Sequence, residues 1–330
     1  MTRKWTTASA VAAAAIAVII AACSGADTQE DRNFPRNAEE FDALFQEVSN
    51  AGRWGADDEL GTANLITPGK VREAAGLVQS GITVSLAHSP MPDEAVDNPD
   101  SAFNHTMSES LTSDTIEFTY HGYGVSHIDS LCHFAYNGLL YNNVPTSASS
   151  AEEGCTKNDI SNLQQGIVTR GVLLDIPRLK GVPYLEPSEA IYVEDIEAWL
   201  EQAGTTVGSG DVIFIRTGRW ARRAAEGPWQ LSGNSAGIHA SVVRWIRERD
   251  VSFVGSDAAT DVQPSLVEDV NLPVHTLLIA AMGTDIFDNM DLEALAETAA
   301  AENRWEFMLT AAPIPVIGGT GSPLNPIAIF

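Results

Sequence analysis

Three of the chain's seven histidines fall within thirteen residues, in the segment His121-Gly-Tyr-Gly-Val-Ser-His127-Ile-Asp129-Ser-Leu-Cys-His133. In His127-x-Asp129 the two side chains share one face wherever the backbone is extended. An imidazole and a carboxylate on one rigid strand can hold one side of a divalent cation. Gly122 and Gly124 let the chain turn, which can return His121 to the same ion. His133 follows His127 by six residues, at the same parity, and suits either a further ligand or a general base beside the ion. Zn²⁺ and Mn²⁺ both accept mixed histidine and carboxylate ligation. The sequence contains no G-x-S-x-G nucleophile elbow, no Walker A loop, no dinucleotide-binding fingerprint and no H-E-x-x-H.

The elements that must position these groups can be read from periodicity. Phe41 to Val48 carries Phe41, Leu44, Phe45 and Val48 on one helical face. Thr67-Pro68 opens a helix expected to run from about Gly69 to Gln79. Ile82 to Leu86 and Thr115 to Tyr120 alternate as strands. Residues 89–113 are rich in Pro, Asp, Asn and Ser and predict one long loop. GVLLDI (171–176), VIFIR (212–216) and the short run Phe253 to Gly255 suit buried strands. Helices are expected over Val193 to Gln202, His239 to Arg249, His275 to Met282 and Asp291 to Asn303. There is no repeat, heptad or mid-chain linker, so a single α/β domain is the simplest arrangement.

The chain has 330 residues, 44% hydrophobic and 19% charged, enough for one large domain with a sizeable core. Asp and Glu number 44 against 19 Lys and Arg, a net charge of −25 that would repel a phosphate backbone, so no nucleic-acid partner is expected. Arg3 and Lys4 precede the small, apolar run Ala8 to Ala22. That run is short for a membrane span and fits a signal peptide over residues 1–22. Ile20-Ala21-Ala22-Cys23 resembles a bacterial lipobox, which implies lipidation at Cys23 and an exported protein anchored to a bacterial membrane, periplasmic or extracellular. Residues 23–40 form a polar tether, and 41–330 the globular domain. An exported compartment permits a disulfide between Cys132 and Cys155, while a small buried thiol is the other reading of Cys132.

The histidine segment resembles the signature of the cyclase family of metal-dependent hydrolases, which includes bacterial kynurenine formamidase and isatin hydrolase. The string HGYGVSHIDSLCH is similar to a variant in a longer-chain branch. RWGADDELGTANLIT (53–67), RGVLLDI (170–176), GDVIFIRTGRW (210–220), VGSDAATD (254–261) and GSPLNPIAIF (321–330) carry the same likeness over nearly the whole body. The resemblance implies an α/β domain with a β-rich, barrel-like core flanked by helices, in a homo-oligomer. It implies His127 and Asp129 as metal ligands, His133 as catalytic acid/base, and a second ligand cluster met by His275 and Asp288 in HTLLIAAMGTDIFDN. There are two departures. The family's first ligand histidine stands four residues before the second, where this chain has Tyr123, and His121 is the substitute available. The late acid is usually Glu, and here it is the shorter Asp288, so one or two metals per site remain open. The implied activity is metal-dependent hydrolysis of a small amide or cyclic amide, with Zn²⁺ or Mn²⁺ as cofactor. A lactonase and a non-catalytic metal- or ligand-binding lipoprotein are the alternatives. The substrate pocket is unassigned. Arg216, Thr217 and Ser256 are its nearest candidates, with a structural ion pair the other reading of Arg216.

Overall fold

A computed structural model describes residues 1–2, 34–99 and 102–330. Arg3, Lys4, the apolar run to Ala22 and Cys23 lie outside the described residues. Among the described residues no helix is long and apolar enough to cross a membrane.

Residues 34–330 form one compact unit around a nine-stranded sheet that curls into a half-barrel flanked by helices. The strands used below are β1 (Thr83–Ser85), β2 (Phe103–Met107), β3 (Asp114–Phe118), β4 (His127–Asp129), β5 (Ile167–Asp175), β6 (Val212–Arg216), β7 (Phe253–Ser256), β8 (Ile286–Asp288), β9 (Glu306–Ala311), β10 (Gly321–Pro323) and β11 (Ile327–Ile329). Across the sheet the order is β1-β11-β9-β5-β6-β7-β8-β4-β10. The middle strands β5, β6, β7 and β8 run parallel, and the pairs on either side are antiparallel. Parallel strands covered on both faces read as unbroken apolar runs, which is why GVLLDI, VIFIR and the short run Phe253 to Gly255 stand out in the sequence.

The helices are α1 (Ala38–Val48), α2 (Pro68–Ala75), α3 (Ile176–Lys180), α4 (Val193–Ala203), α5 (Arg219–Glu226), α6 (Val242–Glu248), α7 (Pro273–His275), which runs on as a π-helical stretch Thr276–Met282, and α8 (Glu293–Glu302). Thr67 caps α2 by accepting from the Lys70 N–H, as its position before Pro68 predicts. That helix stops at Gly76 rather than Gln79. The body also begins earlier than residue 41. Asn37 caps α1 through the Glu40 N–H, and Phe34 stacks on Tyr192 at 5.2 Å. The expected loop 89–113 contains β2, which pairs with β3 as a hairpin. Its strand FNHTM is largely exposed, so no apolar alternation marks it. The sequence pattern likewise does not mark β8, β9, β10 or β11, although β9 alternates in burial residue by residue. Cys132 and Cys155 are joined as a disulfide, not left as free thiols.

The sheet's core is aromatic. Phe214 packs with Phe287 and Phe307 at centroid distances of 5.6 and 6.2 Å, and Phe307 with Phe330 at 5.6 Å. Trp199 on α4 is buried and donates its indole N–H to the Leu173 carbonyl at 2.8 Å, tying helix to sheet. Gly255 on β7 lets these rings meet. A methyl group there would lie 2.6 Å from the Phe214 ring and 3.0 Å from Phe287 Cβ. Gly255→Ala is therefore expected to lower stability by about 1–3 kcal/mol, the usual range for overpacking a filled core. Urea denaturation checks this, and an unchanged midpoint would contradict the packing.

Candidate metal centre

Strand β4 is the axis of the site. Antiparallel pairing sets His127 opposite Asp288 and Asp129 opposite Ile286 on β8, and β10 covers the other edge. The extended backbone turns His127 and Asp129 to one face, as the parity of the motif predicts. Opposed residues of an antiparallel pair share a face, so Asp288 joins them. Gly122 has φ +156°, a conformation suited to glycine, and the chain returns His121 to the same place. His133 arrives from the turn after β4, where its N–H donates to the Ser130 carbonyl. Its ring stacks on His121 at 3.8 Å, with planes 4° apart.

Asp129 is the common neighbour. Its Oδ1 lies 2.9 Å from His121 Nδ1 and 3.4 Å from His127 Nε2. Its Oδ2 lies 3.7 Å from His275 Nε2 and 3.8 Å from His133 Nε2. Burial would raise this carboxyl, but His133, His121 and His127 outweigh that and hold it well below the usual carboxylate range. Burial pushes the His133 imidazole down to about 4 against the pull of Asp129, so it is a free base at neutral pH. The structure thus brings all six predicted groups together: His121, His127, Asp129, His133, His275 and Asp288.

The donor set suits a cation. His127 Nδ1 is taken by the Val125 carbonyl at 2.9 Å, which leaves Nε2 free toward the site. His121 Nδ1 and Asp129 Oδ1 are buried and in contact, yet neither makes a hydrogen bond. Orphaned buried donors and acceptors are costly, and a bound ion would satisfy them. Two groups have ligand atoms all within 4.8 Å of one another: His121, Asp129 and His133, and His127, Asp129 and Asp288. Asp129 belongs to both, so the geometry accommodates one ion or two.

Sequence reasoning missed the groups behind these. Asp261 accepts from His275 Nδ1 at 2.5 Å and from the backbone N–H of Val274 and His275. It therefore fixes which nitrogen of His275 faces Asp288, at 3.0 Å. Burial disfavours charge on His275, but Asp288 and Asp261 raise its pKa well above the ordinary value. Thr320 holds His121 Nε2 at 2.8 Å, and Thr260 donates to Asp288 Oδ1 at 3.1 Å. The one available signal was that Asp261 ends the string VGSDAATD. Arg216, by contrast, is spent on ion pairs to Asp175 at 2.8 Å and Glu293 at 2.7 Å. Thr217 binds Asp257, and Ser256 binds the Ala258 carbonyl. None of the three lines a cavity at the histidines.

A cavity of about 160 Å³ reaches His121 and Tyr123, with Asn98, Thr119, Gln230 and Ser232 in its walls. A larger one, about 370 Å³, opens beside Ser126 and His88. Ser126 precedes His127 and sits at the opposite parity, so that cavity lies away from the face of His127 and Asp129, while the smaller one meets the centre at His121.

A family model described as putative cyclase matches residues 54–261. The chain belongs to the putative cyclase family. A crystal structure titled as a novel cyclase is 33% identical, with TM-score 0.77, over 86% of this chain and all of that one. Isatin hydrolase A from Labrenzia aggregata, bound to benzyl benzoate, is 21% identical with TM-score 0.56, over 77% of this chain and 94% of its own. An isatin hydrolase bound to the product analogue thioisatinate is 16% identical with TM-score 0.52, over 78% and 94%. These last two show a shared cyclase fold. No curated protein matches the sequence.

The outer partners of metal-ligating histidines typically contribute 10–100-fold to metal affinity. Asp261→Asn keeps the shape but loses the charge behind His275. It is expected to weaken Zn²⁺ or Mn²⁺ binding by about that factor, measured by chelator competition. Unchanged affinity would remove His275 from the ligand set.

Proposed function

We propose that this cyclase-family protein is a metal-dependent hydrolase of small amides or cyclic amides, of arylformamidase or isatin hydrolase type. One observation carries the reading: four imidazoles converge on the buried Asp129, with His121 Nδ1 and Asp129 Oδ1 left without hydrogen bonds. The fold shared with isatin hydrolases, one of them holding a product analogue, supports the choice of substrate class.

His127, Asp129, His121, Asp288 and His275 would hold Zn²⁺ or Mn²⁺. Such an ion, when bound, lowers the pKa of water toward neutrality and polarises a carbonyl. His133 supplies the proton chemistry. As a free base it accepts a proton from the attacking water, and it then delivers that proton to the leaving nitrogen as the C–N bond breaks. His121 stacks on its ring and limits rotation. Asp129 faces Nε2 and steadies the imidazolium once formed.

The two histidines of the motif should separate. His127→Ala is expected to lose metal and activity together. His133→Ala should keep most of its metal while kcat falls by about 10²–10⁴-fold, the usual worth of positioned acid–base catalysis. Metal per chain and kcat are measured on each variant, with N-formylkynurenine, isatin and a lactone as substrates. Equal metal loss in both makes His133 a ligand. A metal-loaded wild type that turns over none of the three makes the protein a binding lipoprotein, and preference for the lactone makes it a lactonase.

We further propose, from the lipobox-like Ile20-Ala21-Ala22-Cys23 and the family resemblance, a homo-oligomer anchored to a bacterial membrane through lipidated Cys23, on the exported side. Cys23→Ser is expected to release it from the membrane fraction or block its processing. A wild type already soluble with an unmodified N-terminus would refute the anchor.

A further inference from the structure

Tyr123 stands four residues before His127, and its hydroxyl makes no hydrogen bond among the described residues. His121, two residues earlier, reaches the candidate centre, with Nδ1 at 2.9 Å from Asp129 Oδ1. Tyr123 is nevertheless held firmly. Its carbonyl accepts from Arg219 Nη2 at 2.9 Å, and the Arg219 guanidinium lies 5.6 Å from its ring centroid. Arg219 is itself buried, packed over Trp220 at 4.0 Å and facing Asp97 at 3.7 Å. On the other side, Gly124 packs so closely on Asn98 that a methyl group would lie 2.4 Å from its Oδ1. The backbone that carries the ring is therefore fixed from both sides.

The phenol end differs. Tyr123 is partly buried and lines the 160 Å³ cavity together with His121. Among the described residues its hydroxyl makes no hydrogen bond, although a sheltered tyrosine O–H ordinarily finds a partner. A donor mounted on a fixed backbone, lining a cavity that it shares with His121 and without a protein acceptor among the described residues, is arranged for an acceptor that arrives with a ligand.

We propose that the Tyr123 hydroxyl donates a hydrogen bond to the acyl oxygen of the substrate and strengthens that bond as negative charge builds there. The inference rests on the hydrolase reading above. No bond to Tyr123 forms or breaks. Water adds to the carbonyl carbon and the C=O electron pair moves onto the oxygen facing the phenol. The water's proton goes to His133, which returns it to the nitrogen when the C–N bond breaks. Tyr123 keeps its own proton throughout, as donors in an oxyanion site do.

The test is Tyr123→Phe in the metal-loaded full chain, which removes one oxygen and leaves the ring under Arg219. Metal per chain should stay at the wild-type value while kcat for the accepted amide falls about 10²–10³-fold, the usual cost of removing one such donor. Binding of thioisatinate, followed by calorimetry, should weaken about tenfold, the cost of losing one hydrogen bond to a charged acceptor. A full wild-type rate in the variant overturns the proposal while leaving the hydrolase reading intact. So does loss of metal with the hydroxyl, which would make Tyr123 a ligand. A wild type that neither hydrolyses an amide nor binds thioisatinate overturns both.

Discussion

Asp129 is a carboxylate on the inner strand of a curled sheet, 1% exposed, and it carries the arrangement of everything around it. A charge taken out of water at such a place is costly unless opposite charge or directed N–H groups surround it. Four imidazoles gather round it here, from three stretches of chain: His121 before β4, His127 and His133 on and after it, and His275 on α7. The sheet supplies the rigidity. With β8 on one side and β10 on the other, β4 cannot slip by one residue without turning His127 and Asp129 to the opposite face.

A second ring of buried acids holds the first in place. Asp261 uses both oxygens on α7, binding the Val274 N–H through one and the His275 N–H and Nδ1 through the other. Asp257 accepts from the backbone of Thr217, Gly218 and Arg219 and from the Thr217 hydroxyl, which fixes the start of α5. Burial still raises Asp257 above the ordinary carboxylate range, because desolvation outweighs even these donors. Arg219 and Arg223 then share Asp97, so the segment before β2 is clamped to α5 beside the cavity. The strings VGSDAATD and GDVIFIRTGRW meet through these bonds. They are less separate motifs than two halves of one scaffold behind the candidate metal ligands.

The chain's acidity also takes on a more specific meaning. Most of the 44 Asp and Glu serve solubility, but Asp97, Asp129, Asp175, Asp211, Asp257, Asp261, Asp285 and Asp288 are all buried. Several are matched by basic side chains that composition alone cannot pair: Asp211 by Lys70 and Arg170, and Asp175 by Arg178 and Arg216. The Arg216 pair with Glu293 and Asp175 joins β6 to α8 and β5. This is why a charged residue that sequence reading placed near a pocket is instead structural.

The sequence by itself determined what depends on near neighbours. The parity of His127 and Asp129, the glycines that return His121, the Thr67 cap and the apolar parallel strands all follow from a few adjacent residues, and the structure has each of them. It could not show β2, whose exposed strand carries no alternation, nor the partnership of Cys132 with Cys155, which spacing leaves open. Only the tertiary structure decided which distant groups stand behind the ligands. Asp261 reaches His275 across 14 positions, Thr320 reaches His121 across 199, and Arg219 reaches Tyr123 across 96. Such contacts come from the order of strands in the sheet, and strand order is set by packing over the whole domain, with no local pattern to mark it.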